Sequence, residues 1–179
     1  ILEIKQNISL KNYNSFGINA YAKYFAPFNS IDELATILET SNTRTPNKLV
    51  LGGGSNILFT QNFDGLILKI EIKGIEKINE DKNNVFKKIG GGENWDGFVL
   101  YCLQHNYAGV ENLALIPGNG GASPMQNIGG YGVEIQNIFQ ELEAFHLNEK
   151  QKIIFNKNDC EFGYRDSIFK NKYKEQFVI

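Results

Sequence analysis

Three segments of this sequence combine residue types that can hold an anion or a planar ligand. The first is Gly52-Gly53-Gly54-Ser55-Asn56, directly after the apolar run 48–51. Successive glycines accept positive φ and let consecutive N–H groups point into one concavity, where an anion is attracted. Ser55 and Asn56 add side-chain donors. A tight strand exit, with Asn56 bonding its own backbone, uses the same residues. The second segment, 116–132, reads IPGNGGASPMQNIGGYG. Pro117 fixes the chain's entry, and the small residues let a planar or phosphorylated group lie against backbone. A short helix starting near Ala122 would aim its first N–H groups at a phosphate. A purely structural glycine loop competes with this, although each glycine costs conformational entropy.

The third segment, 162–170, reads FGYRDSIFK. The 18 basic residues include only two arginines, Arg44 and Arg165. A planar, permanently charged fork among aromatic and small residues suits a carboxylate or an enolate. An exposed Arg165–Asp166 pair is the plain alternative and is worth little. Neither glycine segment is a P-loop, since GxxxxGK[ST] is absent. Neither fits GxGxxG between a strand and a helix with a later acidic residue. An ordinary dinucleotide fold is therefore disfavoured, but nucleotide binding is not.

The elements that must position these segments follow from periodicity. An aromatic, β-prone run covers 20–28. Ser30-Ile31-Asp32-Glu33 is a capping-box pattern, and Leu34, Ile37 and Leu38 continue at helical spacing, predicting a helix over 31–40. The polar stretch 40–47 ends it. Strands are predicted at 48–51, 66–72, within 74–84, and at 85–89. Asn94 caps a helix over 95–105 whose apolar face is Trp95, Phe98, Val99, Cys102 and Leu103, with Asn106 and Gly109 at its end. A hairpin pairs 139–147 with 152–155 through Asn148-Glu149-Lys150. This order is not a regular βαβ alternation and predicts an α+β fold of two subdomains, 1–73 and 74–179.

The chain has 179 residues, 42% of them hydrophobic, and a formal charge of −2. It lacks the basic excess that drives general nucleic-acid or membrane-surface binding. Cys102 and Cys160 are too few for a disulfide scaffold, and with His105 and His146 they lack metal-ligand spacing. They read as reduced thiols, with no metal site. No apolar run reaches the ~20 residues needed to span a bilayer. The chain therefore reads as cytoplasmic. Its start at Ile1 and its apolar end at 177–179 are expected to mark a fragment of a longer protein, with the last strand interrupted.

Six ordered motifs carry a family resemblance: NSFGI at 14–18, LGGGSNILF at 51–59, GGENW at 91–95, GVENLALIPG at 109–118, PMQNIGGYG at 124–132 and GYRDSIFK at 163–170. Together they resemble the UDP-N-acetylenolpyruvoylglucosamine reductases, flavoenzymes of peptidoglycan precursor synthesis. The resemblance implies an FAD-binding fold of the vanillyl-alcohol-oxidase type, two α+β subdomains with the flavin between them. It implies that FAD takes hydride from NADPH and passes it to the enolpyruvyl double bond of UDP-N-acetylglucosamine enolpyruvate, giving UDP-N-acetylmuramate. The enzyme would be a cytoplasmic monomer serving cell-wall biogenesis, and hence cell shape and division.

By the same resemblance, Gly53, Gly54, Ser55 and Asn56 cradle the FAD phosphates together with Pro117, Gly118, Gly121, Ala122 and Ser123. Gln126, Ile128, Gly129 and Tyr164 lie near the flavin or its ribityl chain, and Arg165 is the active-site arginine. The family's serine proton donor and late glutamate belong to a C-terminal part absent here, so the fragment alone is expected to be inactive. Asn119 stands where relatives often have Cys or Ser, and Ala122 where some have Ser, which removes one hydroxyl contact. Two other readings are a flavin oxidase or dehydrogenase of the same fold and a non-catalytic nucleotide-binding module. A covalent flavin histidine, common in such oxidases, is not placed by His105 or His146, which lie outside the glycine segments.

Overall fold

The structure is a computed structural model that describes residues 3–40 and 47–179. The expected polar stretch after the first helix, with Arg44 in it, lies almost wholly outside the described residues. The chain divides into two compact units, Ile1–Ile72 and Lys73–Ile179.

The first unit is a four-stranded mixed sheet in the order β1-β2-β4-β3. Its elements are β1 (Lys5–Ser9), β2 (Tyr21–Phe28), helix α1 (Ile31–Thr40), β3 (Lys48–Leu51) and β4 (Phe63–Ile70). β1 runs antiparallel to β2, while β2 and β3 both run parallel to β4, with Phe25 and Leu49 opposite Ile67. Leu66, Ile67 and Leu68 are all fully buried. Consecutive burial of this kind marks a strand covered on both faces, which is why its apolar run does not alternate. Each such side chain contributes about 1.5–3 kcal/mol on burial. β4 starts earlier than the sequence implies, because Phe63 already pairs with Ala22, and it stops before Ile72.

Helix α1 has the predicted bounds. Ser30 Oγ accepts from Glu33 N–H at 3.1 Å, while the Glu33 carboxylate reaches back to Asn29 N–H at 2.6 Å, one residue further than a capping box requires. Leu34 and Ile37 face the core.

The second unit contains β5 (Ile75–Glu80) paired with β6 (Val85–Ile89), helix α2 (Trp95–Gln104), a short hairpin of β7 (Gly129–Gly130) and β8 (Val133–Glu134), and a sheet of β9 (Glu141–His146), β10 (Lys152–Asn156) and β11 (Phe177–Val178) in the order β10-β9-β11. Asn94 Oδ1 caps α2 by accepting from Gly97 N–H at 2.7 Å. The helix ends in a Schellman arrangement: Asn106 takes φ +57, its N–H donates to Leu103 O, and Tyr107 N–H donates to Cys102 O. Trp95, Phe98, Val99 and Cys102 enter one core cluster. Leu103 does not join them and is 47% exposed. At about 100° per residue it falls roughly 40° beyond Val99, off the edge of the buried arc.

A second cluster joins Leu142, Ala144 and Phe155 to Phe169 and Phe177. The β7–β8 hairpin is not among the predicted elements. Its turn, Tyr131-Gly132, has positive φ at both residues, +51 and +81, as a type I′ turn requires.

Candidate functional site

In the first unit, Gly54 must be glycine for a packing reason. Its φ is +70, and a Cβ there would meet Tyr13 O at 2.0 Å. Ser15 N–H donates to Gly54 O at 3.0 Å. The Asn14 side chain ties the loop that reaches Gly54: Nδ2 donates to Leu10 O at 2.7 Å and Ile18 O at 3.0 Å, and Oδ1 accepts from Ile18 N–H. The NSFGI and GGGSN motifs thus occur together because one docks on the other. Among the described residues, the N–H groups of Gly53, Gly54 and Ser55 have no protein acceptor, although Gly54 is buried. A buried donor such as that of Gly54 normally has a partner, and with the more exposed N–H groups of Gly53 and Ser55 beside it the three are suited to an anionic group. Asn56 is exposed beside them.

In the second unit, the two glycine segments dock on each other. Gly120 N–H donates to Glu93 O at 2.8 Å, Gly121 N–H to Gly91 O at 3.0 Å, and Trp95 N–H to Gly118 O at 3.0 Å. A Cβ on Gly121 would meet Ile179 O at 2.3 Å and Gly91 Cα at 3.0 Å. A single 3-10 turn covers Gly120–Ala122. The expected helix with free first amides near Ala122 is therefore corrected. The N–H groups of Gly120, Gly121, Ala122 and Ser123 all donate to protein carbonyls, and the Ser123 hydroxyl donates to Gly120 O at 2.7 Å. Within residues 117–123, the amides of Gly118 and of the buried Asn119 are the ones left without a protein acceptor.

Arg165 occupies a turn closed at both ends. Gly163 N–H donates to Asp166 O at 3.0 Å, and Asp166 N–H donates to Gly163 O at 3.1 Å. Arg165 is the third turn residue and takes φ +54, a position that favours Gly or Asn. This conformation turns its half-buried side chain toward the second glycine segment. The guanidinium donates to Gly129 O and, at 3.5 Å, to Asn127 O. An Arg165–Asp166 ion pair is not formed among the described residues; the Asp166 carboxylate instead accepts from Asn171 Nδ2 at 2.9 Å. Tyr164 is 85% exposed, with the guanidinium carbon 5.6 Å from its ring centre.

Asn127, Glu134 and Ser167 support this arrangement and are absent from the predicted site. Ser167 Oγ donates to Met125 O at 2.6 Å and accepts from Phe169 N–H, tying the segment after Arg165 to the one before Asn127. The only signal for Asn127 and Ser167 in the sequence is their position inside the PMQNIGGYG and GYRDSIFK motifs. Ile128 is a core residue whose N–H donates to Ser123 O and whose carbonyl accepts from Ile135 N–H. Pro117 is exposed and Gln126 half-buried.

The histidines serve structure. His105 is the C-cap of α2, and His146 Nδ1 accepts from the N–H groups of Asn148 and Glu149 in the β9–β10 turn. Cys102 and Cys160 are buried free thiols. Burial pushes both thiols up, Cys160 to about 12 with help from the Asp159 charge. No group of metal-ligating side chains occurs among the described residues, and no helix among them is long and apolar enough to cross a membrane.

Comparison with known proteins adds sequence and fold relationships. The family described as FAD binding domain matches residues 22–150. The UDP-N-acetylenolpyruvoylglucosamine reductase of Amoebophilus asiaticus is 47% identical over 178 residues, covering 99% of this chain and 52% of that protein. The reductase of the same name from Photobacterium profundum is 42% identical over 178 residues, 99% of this chain and 51% of that protein. The chain thus spans about half the length of these relatives. Among solved structures, UDP-N-acetylenolpyruvylglucosamine reductase from Thermus caldophilus superposes with a TM-score of 0.73 at 22% identity, over 93% of this chain and 57% of that one. Physcomitrella patens BBE-like 1 follows with a TM-score of 0.57 at 14% identity, over 87% of this chain and 36% of that one. A VAO-type flavoprotein from Myceliophthora thermophila gives 0.53 at 11% identity, over 77% of this chain and 27% of that one. The fold is that of these flavoproteins.

Proposed function

The chain belongs to the FAD-binding-domain family, and from that premise we propose that it is the flavin-binding part of an NADPH-dependent reductase converting UDP-N-acetylglucosamine enolpyruvate to UDP-N-acetylmuramate. The observation that carries the assignment is 47% identity, along almost the whole chain, to a reductase named for that substrate. The residues fit the cofactor. Gly53, Gly54 and Ser55 offer backbone donors to a pyrophosphate, with Asn56 beside them. In the second unit Gly118 and Asn119 offer the amides, while Pro117, Gly121, Ala122 and Ser123 shape the surface next to them.

Bound FAD would supply the site that accepts hydride from NADPH and delivers it to the substrate's double bond. Gln126, Ile128, Gly129 and Tyr164 would then lie near the flavin or its ribityl chain. Arg165 spends two donors on the carbonyls of Asn127 and Gly129 and has five N–H groups in all, so three remain for a ligand. In our reading these hold the substrate carboxylate and stabilise the negative charge that develops there as hydride adds. A fixed cation is most effective where charge appears in the transition state. The proton that completes the reduction is not assigned to any residue of this chain. We further read it as a monomeric cytoplasmic enzyme of cell-wall precursor synthesis; the free thiols agree with a reducing compartment, and the weakly acidic charge with the lack of nucleic-acid or membrane-surface partners.

The test is spectroscopic. The purified full-length protein should show the absorption bands of oxidised flavin and bleach with NADPH under anaerobic conditions. It should recover its colour on mixing with the enolpyruvyl sugar. Absence of flavin, or recovery only with dioxygen, would overturn the assignment.

A further inference from the structure

We propose that Asn127 is a positioning residue for Arg165, setting both where the arginine's turn begins and where its guanidinium lands. The proposal rests on the reading of Arg165 as the group that holds the substrate carboxylate. Asn127 is fully buried, and its side chain uses both donors and its oxygen in hydrogen bonds. Nδ2 donates to Glu134 Oε2 at 2.9 Å and to Gly163 O at 2.8 Å, while Oδ1 accepts from Gln136 N–H at 3.2 Å. Two segments, 134–136 and the distant Gly163, therefore meet on one amide.

Gly163 is the first residue of the turn that carries Arg165, so the bond to its carbonyl anchors the base of that turn. Asn127 O and Gly129 O, two residues apart in the Asn127 loop, receive the guanidinium. Glu134, held by Asn127 and by Gln136 Nε2 at 2.5 Å, also packs its stem against Gly129. An amide is the one small side chain that supplies two donors and one acceptor in this arrangement. A carboxylate of the same shape would set an acceptor against two acceptors, Glu134 Oε2 and Gly163 O. The carbonyl of Gly163 would lose its anchor and the turn would be free to shift.

Asn127→Asp in the FAD-loaded full-length protein tests this. The Arg165 Nε–Hε NMR signal is assigned by its loss in Arg165→Lys. In Asn127→Asp its order parameter should fall, and affinity for the enolpyruvyl sugar should weaken by about tenfold, the scale of one hydrogen bond to a charged group. FAD affinity should fall by clearly less than the affinity for the sugar, because the phosphate donors at Gly53–Ser55 are not moved. In an Arg165→Lys background, Asn127→Asp should add less than about threefold, since its effect runs through the arginine. Adding Glu134→Gln to Asn127→Asp restores a donor opposite the new carboxylate and should recover part of the order.

An unchanged Arg165 signal, full additivity with Arg165→Lys, or a parallel loss of FAD would overturn the proposal. Should Asn127→Asp fail to fold, Asn127→Ser, which keeps one donor, is measured in the same way. If Arg165→Lys leaves sugar binding unchanged, the substrate reading fails, while the Arg165 signal still decides the positioning role.

Discussion

The guanidinium of Arg165 lies against the Cα of Gly129: it donates to the Gly129 carbonyl, and a Cβ on Gly129 would come within 2.7 Å of Arg165 Nη1. Gly129 is thus glycine to leave room for an arginine of the same chain. The same Cβ would sit 2.8 Å from Val133 O and 2.9 Å from Glu134 Cγ. Two of these three neighbours are side chains that can move, and one is backbone.

Gly129→Ala should therefore displace the guanidinium and open the β7–β8 hairpin. The expected cost is about 1–3 kcal/mol, the usual range for overpacking. Urea unfolding gives the loss in midpoint, and a wild-type midpoint would show that the neighbours absorb the methyl group freely.

Gly54 and Gly121 separate packing from ligand binding. Their Cβ positions run into backbone oxygens, Tyr13 O at 2.0 Å and Ile179 O at 2.3 Å. Alanine at either position should lower the melting temperature of the protein stripped of flavin as much as that of the loaded protein. Each loss should reach at least ~2 kcal/mol, beyond the usual surface substitution. A melting temperature changed only when flavin is bound would mean that these glycines yield to the cofactor and not to the chain.

What the sequence made legible was local. Ser30, Glu33, Asn94 and Asn106 act within one turn of their own helices, so α1 has the expected extent and α2 ends one residue before it, at Gln104. The spacing of Trp95, Phe98, Val99 and Cys102 likewise identified a buried stripe, and only Leu103 at its margin escaped. The glycine segments were visible as unusual, but not the atoms they approach. Gly54 meets Tyr13 from a loop about forty residues away, and Gly121 meets Gly91 and Ile179. No local pattern encodes such contacts. GGYG has the composition of a ligand loop, yet two positive-φ residues in a two-residue turn also make a hairpin. Arg165 stood out by its rarity, but its orientation depends on the positive φ of its own turn, which an arginine does not announce.

Cys160 offers a chemical readout of the second core. It is fully buried, and its thiol is pushed up to about 12. At pH 8 the thiolate fraction is then only ~10⁻⁴, and the thiolate is the reactive form. Alkylation of Cys160, followed by mass spectrometry, should proceed only through unfolding and should accelerate with denaturant in step with it. Rapid labelling of the native protein would contradict this placement.

Glu143 supplies a pH dependence. Lys88 at 2.6 Å and Lys152 at 3.2 Å hold its carboxyl below the ordinary value. A depressed carboxyl contributes stability that is present above the unfolded value, about 4.3, and is lost as the pH falls through the folded value. Because the pair is partly exposed, the effect should be small and should weaken in salt. Thermal melts of wild type and Glu143→Gln should differ at pH 7 and converge only as the pH falls below the unfolded value of about 4.3 and through the lower native one. A constant difference across that range would show that the pairs contribute nothing through charge.

Arg165→Lys addresses the chemistry. Lysine keeps the charge but has neither the planar fork nor the reach to serve Asn127 O, Gly129 O and a carboxylate at once. Flavin reduction by NADPH in the full-length enzyme should remain close to wild type, because the phosphate donors at Gly53–Ser55 are untouched. Reoxidation by the enolpyruvyl sugar should slow by at least ~10²-fold, the scale for losing one contact to charge that develops in the transition state. Relief of the positive φ at position 165 is no alternative explanation, since lysine is as strained there as arginine. Stopped-flow absorbance follows the two half-reactions separately. A wild-type reoxidation rate would mean that Arg165 serves only to fasten its turn to the glycine segment. A defect in both half-reactions would place its role at the flavin itself.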